Sequence, residues 1–156
     1  MTPRNEKTTP NRGLGDFLCF AVYSANLAFG RAYKPILDQV GLTYPQYITI
    51  VALWEEDSQT VGGLGEKLFL ESNTLTPLLK KLEAMGYVRR ARAAADERQV
   101  VVSLTETGRR LREKISTTNL VKASGLNPEE FRRMRKGIAT LRDNLIKAGA
   151  ESAGEP

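Results

Sequence analysis

Residues 60–104 decide how this chain is read: Thr60-Val-Gly-Gly-Leu-Gly-Glu-Lys-Leu-Phe-Leu-Glu-Ser-Asn-Thr-Leu-Thr-Pro-Leu-Leu-Lys-Lys-Leu-Glu-Ala-Met-Gly86, then Tyr87-Val-Arg-Arg-Ala-Arg-Ala-Ala-Ala-Asp-Glu-Arg-Gln-Val-Val-Val-Ser-Leu104. The pattern predicts a short helix over about Val61 to Leu68, a turn, and a second helix over about Asn73 to Met85. Leu75, Leu78, Leu79 and Leu82 fall at i, i+3, i+4 and i+7, which makes one apolar face. The opposite face carries Asn73, Thr76 and Lys80, with Thr74 and Lys81 beside it and Ser72 at the expected N-cap. Such short polar and cationic side chains suit base edges and phosphates in a major groove. Gly86 stops the helix, and two strands follow with a basic, small-residue loop between them. The expected fold is therefore mainly α with a small β-hairpin wing, a winged helix-turn-helix flanked by further helices.

Helix-turn-helix geometry alone is a weak signal, because two helices and a hairpin also occur as plain structure. The wing weighs more. Arg89, Arg90, Arg92 and Arg98 surround Ala93-Ala94-Ala95, whose small side chains let a loop approach a phosphate backbone.

Bulk properties narrow the function further. At 156 residues the chain has room for one full core. A net charge of +5 favours a polyanionic partner without requiring one. No apolar run approaches the length needed to span a bilayer, and the N-terminus lacks the apolar core of a signal peptide. The single cysteine cannot form an intrachain disulfide, which fits a reducing cytoplasm. The absence of histidine removes His-based acid–base chemistry, Ser-His-Asp triads and most zinc sites. No cofactor or metal site is expected, and no enzymatic activity.

Residues 1–12 read as a loose arm and residues 149–156 as a frayed tail. The domain between them, 13–148, divides into N-terminal dimerisation and sensor helices (13–57), the winged helix-turn-helix (60–104) and C-terminal dimerisation helices (105–148). From about Leu14 to Tyr33 a helix places Leu14, Leu18, Ala21, Ala25 and Ala28 on one face with only a thin polar flank. Cover from a second copy of the chain is the simplest account. Pro35 is expected to interrupt or restart this helix and Gly41 to end it. Pro45 is expected at the first position of the next helix, with Thr43 or Tyr44 near the cap and Ile48, Val51, Ala52 and Trp54 facing the core. Thr60 is a natural N-cap, but Gly63 stands where a Glu would complete a capping box. Pro77 should bend the first turn of the second motif helix or cost it a hydrogen bond. After the wing, a Thr-capped helix should bury Leu111, Ile115 and Leu120 or Val121. Leu126-Asn127-Pro-Glu-Glu130-Phe131 has the form of a helix start, with Asn127 as cap, Glu130 returning the bond and Leu126 stapled to Phe131. Phe131, Met134, Ile138, Leu141 and Leu145 then form a helix-packing seam, filled by a second subunit or by the chain itself.

With these elements in place, the order of helices around a central winged helix resembles the MarR family of homodimeric transcriptional regulators. Asp96-Glu-Arg98 before the strand Gln99-Val-Val-Val-Ser-Leu-Thr105 matches that family's wing signature; the resemblance implies that the Arg reaches the minor groove and the Asp holds the wing's shape. Leu18-Cys-Phe-Ala-Val-Tyr-Ser-Ala-Asn-Leu27, Tyr33-Lys-Pro, Leu42-Thr-Tyr-Pro-Gln-Tyr47 and Thr74-Leu-Thr-Pro-Leu-Leu-Lys-Lys-Leu-Glu83 resemble its organic hydroperoxide resistance (OhrR) subgroup. The likeness covers about Asp16 to Gly108 well and the C-terminal helices in outline. Asn73 departs from it, standing where the subgroup often has Gly. The DNA-binding set implied by face and family together is Ser72, Asn73, Thr74, Thr76, Lys80, Lys81, Arg92, Asp96 and Arg98.

A lone helical cysteine is most often an inert, buried small hydrophobe, and tyrosines at helical spacing are often core. The resemblance instead makes Cys19 a redox sensor, with Tyr23 one turn away and Tyr33 and Tyr44 where that pattern places phenols that hydrogen-bond the sulfur. It implies a dimer on a pseudo-palindromic double-stranded operator, released when an organic hydroperoxide, held by Phe17, Phe20 and Trp54, oxidises Cys19. With no second cysteine, the sulfenic acid must form a mixed disulfide with a small-molecule thiol, cyclise to a sulfenamide, or over-oxidise. The alternatives are a MarR-type repressor released by a small phenolic ligand in the dimer cleft, with Cys19 structural, a thiol peroxidase, and a purely structural dimer module.

Overall fold

Thr43 and Gln46 start the helix around which the core forms. Thr43 caps α2 (Tyr44–Glu55): its hydroxyl accepts the Gln46 N–H at 3.4 Å, and the Gln46 side chain accepts the Thr43 N–H at 2.9 Å. This reciprocal pair satisfies two donors that the helix leaves open. Tyr44 takes the first helical position and Pro45 the second. Ala52 is buried as expected, but Ile50 and Leu53 form the centre of the core while Ile48, Val51 and Trp54 pack at its margin. The segment is apolar all round, so its periodicity could not select a face.

The computed structural model describes residues 13–115 and 118–153. The expected arm, 1–12, lies outside them. The chain forms two compact units, Met1–Ile115 and Ser116–Pro156.

In the first unit a 3-10 turn (Leu14–Asp16) precedes α1 (Leu18–Asp38), so the long helix begins at Leu18 rather than Leu14. Helix α1 also runs through Pro35, which was expected to break it. Pro35 denies the Arg31 carbonyl its helical partner, but both residues are exposed and water can satisfy the orphan acceptor. After α2 come β1 (Gln59–Thr60), α3 (Val61–Leu68), α4 (Ser72–Ala84), β2 (Val88–Arg92), β3 (Val100–Leu104) and α5 (Glu106–Lys114). The antiparallel sheet has the order β1-β3-β2, with Gln59 opposite Val102 and Val88 opposite Leu104. Two residues of β1 carry no alternation, and sequence reasoning missed that strand.

The helix-turn-helix matches its expected span. Thr60 caps α3, accepting the Gly63 N–H at 3.0 Å, and no side chain returns the bond. Gly65 is buried where the turn folds back: a Cβ there would lie 2.7 Å from the Leu70 carbonyl oxygen. Phe69 ends α3 in the left-handed region at φ 57°. Glu71, not Ser72, holds the N-cap position of α4 and makes no side-chain cap; Ser72 is the first helical residue. Leu75, Leu79 and Leu82 are fully buried, and Leu78 packs beside them.

Asp57 joins α2 to the wing. One carboxylate oxygen accepts the N–H groups of Ser58 and Leu104, each at 2.8 Å, and the other accepts Arg109 Nη2 of α5 at 2.6 Å. Thr105 caps α5 through the Gly108 N–H at 3.1 Å. Leu111 and Ile115 are buried as expected.

The second unit corrects the single helix expected after the wing. Helix α5 stops at Lys114 and a separate α6 spans Thr118–Ala123. Val121 is exposed, and the Leu120 side chain lies outside the described residues. Asn127 caps α7 (Pro128–Ala153): its side-chain oxygen accepts from Glu129 and Glu130 N–H, and Glu130 accepts the Asn127 N–H. Helix α7 continues to Ala153, well into the segment read as a frayed tail; residues 154–156 lie outside the described set. No helix among the described residues is long and apolar enough to cross a membrane.

Two glycines of α3 should behave oppositely in urea unfolding at fixed protomer concentration. Gly65→Ala should cost about 1–3 kcal/mol by forcing the α3–α4 turn open. Gly62→Ala, where a Cβ meets nothing within 4 Å, should stabilise by roughly 0.5–1 kcal/mol through helix propensity. Equal effects would refute this account of the turn.

Candidate functional site

The outward face of α4 and the wing form one surface. Asn73, Thr74, Lys80 and Lys81 are exposed, and Thr76 is half-buried. Lys80, Lys81 and Arg89 have no ion pair among the described residues. Ser72 and Thr76 of α4 and Arg98 of the wing line a common cleft of about 340 Å³ between helix and hairpin. The structure thus gathers these three sequence-predicted residues into one place.

The loop between β2 and β3 is held by its own acid. Asp96 Oδ1 accepts the Arg98 backbone N–H and Arg98 Nε, both at 3.1 Å. These side-chain and backbone bonds hold the Asp96 carboxyl below its ordinary pKa. The Arg98 side chain is 91% exposed, so a fully solvated guanidinium is presented in one orientation. Arg92 reaches the Glu97 carbonyl at 3.3 Å across the same loop.

Arg90 corrects the sequence grouping of wing cations. Its Nε and Nη2 donate to Glu83 Oε2 at 3.0 and 2.8 Å, and its backbone N–H donates to Glu83 Oε1 at 3.0 Å. Two guanidinium donors on one carboxylate oxygen and a backbone donor on the other fix geometry as well as charge. Arg90 therefore clamps the wing to α4. Its side-chain hydrogen bond, then its backbone N–H, lower the Glu83 pKa. Nothing in the local sequence distinguishes Arg90 from Arg89 except strand alternation, which sends every second side chain to the helix side.

The residues expected to sense oxidation separate into two groups. Cys19 is an exposed thiol in the first turn of α1, not a buried small hydrophobe. Tyr23 lies one turn on and is also exposed. Tyr33 and Tyr44 meet as tilted rings at 5.0 Å between centroids, with Tyr47 at 5.7 Å from Tyr33. Burial raises the pKa of both, and the neighbouring phenols Tyr44 and Tyr47 add to the effect at Tyr33, so both stay O–H donors at neutral pH. Cys19 and Tyr33 stand 14 residues apart on α1, about 21 Å at 1.5 Å per residue. One chain therefore brings Cys19 to Tyr23 and Tyr33 to Tyr44, but does not bring the thiol to the second pair. Phe17 and Phe20 are exposed near Cys19. Trp54, expected with them, instead packs on Tyr47 and donates its indole N–H to the Gly108 carbonyl at 3.0 Å.

Comparison with known proteins gives the family. The family model described as transcriptional regulator SarA/Rot matches residues 31–115. The chain is 48% identical over 142 residues to the HTH-type transcriptional regulator TtmR of Methylorubrum extorquens, covering 89% of this chain and 73% of that protein. It is 41% identical over 133 residues to the organic hydroperoxide resistance transcriptional regulator of Bacillus subtilis, covering 82% and 88%. The structure of reduced AbfR of Staphylococcus epidermidis bound to DNA superposes with a TM-score of 0.74 at 36% identity, covering 86% of this chain and 94% of that one.

The wing and its supports set the expected pH response. At Asp57 burial pushes the pKa up, but hydrogen bonds from Arg109, Leu104 and Ser58 outweigh it and leave the group below 3.8. Asp57, Glu83 and Asp96 are all depressed, so their stabilisation is complete above the ordinary carboxylate range and lost as pH falls through their folded values. With no histidine, urea midpoints should be flat between about pH 6 and 8 and fall below about pH 4. A midpoint that moves near neutrality would contradict this assignment of charges.

Proposed function

The chain belongs to the MarR-like winged-helix transcriptional regulators, in the organic hydroperoxide resistance subgroup, and on that premise we propose that it is a homodimeric repressor that releases DNA when Cys19 is oxidised. The observation that carries the reading is the position of its one thiol. Cys19 is exposed at the start of α1, about 21 Å along the helix from Tyr33. Only a second copy of the chain can bring Tyr33 and Tyr44 to that sulfur, which makes the sensor a property of the dimer. The exposed apolar side chains of α1, among them Leu18, Leu27 and Phe29, supply a reason for the second copy to bind there.

In the reduced dimer each α4 enters a major groove and each wing follows the flanking minor groove, Arg98 leading. Ser72, Asn73, Thr74 and Thr76 meet base edges, while Lys80, Lys81 and Arg92 meet phosphates. Asp96 orients Arg98. The partner's tyrosine hydroxyls and Tyr23 donate to the Cys19 thiolate. An organic hydroperoxide settles against Phe17 and Phe20, and the sulfur attacks its terminal oxygen. The O–O bond breaks, the alkoxide leaves and takes up a proton, and Cys19 becomes a sulfenic acid. A small-molecule thiol then condenses with the sulfenic acid, forming a mixed disulfide and water. That bulk displaces Tyr33 and Tyr44 and re-spaces the two reading heads. Emptying an operator from nearly full occupancy takes about 5.5 kcal/mol of difference between the two states. The chain consumes peroxide once per oxidation and is a sensor rather than a catalyst. Its place is the reducing cytoplasm, beside its DNA.

Fluorescence anisotropy on the promoter DNA upstream of its own gene tests the reading, before and after an organic hydroperoxide with a small thiol. The wild type should bind tightly and release. Cys19→Ser should stay bound, and Tyr33→Phe should bind but respond more weakly. Intact-mass measurement should show the thiol adduct on Cys19. Release of the serine variant would mean that Cys19 is not the sensor, and sustained peroxide turnover would mean that the chain is an enzyme. On the same DNA, Arg98→Ala should lower the salt dependence of binding by roughly one ion. Arg90→Ala should act mainly by loosening the wing, lowering the melting temperature as well as affinity.

A further inference from the structure

We propose that Asn73 reads an adenine in the major groove of each half-site, an assignment that rests on the DNA-binding reading above. Helix α4 has the sequence Ser72-Asn-Thr-Leu-Thr-Pro-Leu-Leu-Lys-Lys-Leu-Glu-Ala84. Its buried side is Leu75, Leu79 and Leu82, so Asn73, Pro77 and Lys80 run down the middle of the outward side. Asn73 is the N-terminal member of that stripe. The first residues of a recognition helix are the ones that reach base edges.

The chemistry of the stripe singles out Asn73. It is the one residue of α4 whose side chain carries a donor and an acceptor side by side in one plane. That is the pattern needed to accept from adenine N6 and donate to N7 together. The hydroxyls of Ser72, Thr74 and Thr76 can serve any base, and Glu83 is held by Arg90. Lys80 is a point charge suited to phosphate.

The Asn73 amide is also free to act. Asn73 is exposed. The Thr74 hydroxyl donates to its Oδ1 at 3.5 Å, the long limit of such a bond, and its amide nitrogen has no acceptor among the described residues. Pro77, four residues on, offers only an apolar ring, so no neighbouring polar group of the stripe competes for the same base edge.

The test selects binding sites for the full-length reduced wild type, Asn73→Ala and Asn73→Gly in parallel. The probe is a duplex library with a randomised core long enough for two half-sites. The wild type should enrich one A·T pair per half-site that both variants leave unselected, with other positions unchanged. On the selected duplex, replacing that adenine with 7-deazaadenine should weaken the wild type about tenfold per half-site and leave Asn73→Ala unmoved. The alanine variant keeps helix propensity and separates lost readout from a loosened helix. Identical base preferences in all three proteins would overturn the assignment while leaving DNA binding intact. Failure of every protein to enrich any duplex would remove the DNA-binding reading and this assignment with it.

Discussion

A helix of 21 residues that buries only Leu37 must find cover outside its own chain. Leu14, Leu18, Leu27 and Phe29 lie open along and before α1, and their exposure to water costs on the order of 25 cal/mol per Å². The 26-residue α7 buries no side chain at all, with Met134, Ile138 and Leu145 exposed along its seam. Each unit taken by itself therefore presents an unfinished surface. Association of two copies is the state in which these helices make physical sense, and the thiol site inherits that requirement. Cys19 sits within the uncovered stretch of α1, so the surface that needs the partner is also the surface that carries the chemistry.

The cations of the reading head divide into two classes. Arg90 and Arg109 are held by carboxylates: Arg90 joins β2 to α4 through Glu83, and Arg109 joins α5 to the end of α2 through Asp57. Arg89, Lys80 and Lys81 are without such partners among the described residues. Arg98 stands between the classes, since its acid is two residues away and leaves the guanidinium in solvent. The solvent-exposed Arg98–Asp96 pair contributes little stability. What it supplies is orientation, and a wing that arrives pre-shaped loses less freedom on binding DNA.

Elements whose cause is local could be read from the chain. Asn127-Pro-Glu-Glu130 and Thr43-Tyr-Pro-Gln46 carry both halves of their capping boxes within four residues, and the structure contains both. The four leucines of α4 share one face at fixed spacing, so their burial followed from periodicity. Features whose cause lies across the fold were not legible. Glu83 and Arg90 meet only because Gly86 turns the chain back, and Asp57 finds Leu104 N–H across 47 positions. Pro35 was read as a breaker because its cost is local, while the solvation that relieves it depends on which side of α1 faces water. The resemblance places Trp54 beside the peroxide, yet its indole N–H is fixed by a carbonyl of α5. The separation of Cys19 from Tyr33 was implicit in the sequence, since 14 helical residues have a fixed length, but only while α1 stays unbroken at Pro35.

Helix α2 runs from the tyrosine cluster to the base of the wing. Tyr44 is its first residue, and Asp57 follows two residues beyond its end, bonded to the last residue of β3 and to α5. Twelve helical residues span about 18 Å, and Ile50, Leu53 and Thr49 lock this rod into a core with no exposed surface at those positions. Close-packed interiors transmit displacement rather than absorb it. A shift imposed at Tyr44 therefore cannot be confined to the tyrosine. In the redox repressor proposed above, a displaced Tyr44 would tilt the rod, and the Asp57 carboxylate near its far end would carry the tilt to the base of the wing. The head itself need not unfold or remodel, because a two-fold site is lost when its two heads no longer match the spacing of the half-sites. A single oxidised sulfur can then act on DNA contacts far from it through rigid elements alone.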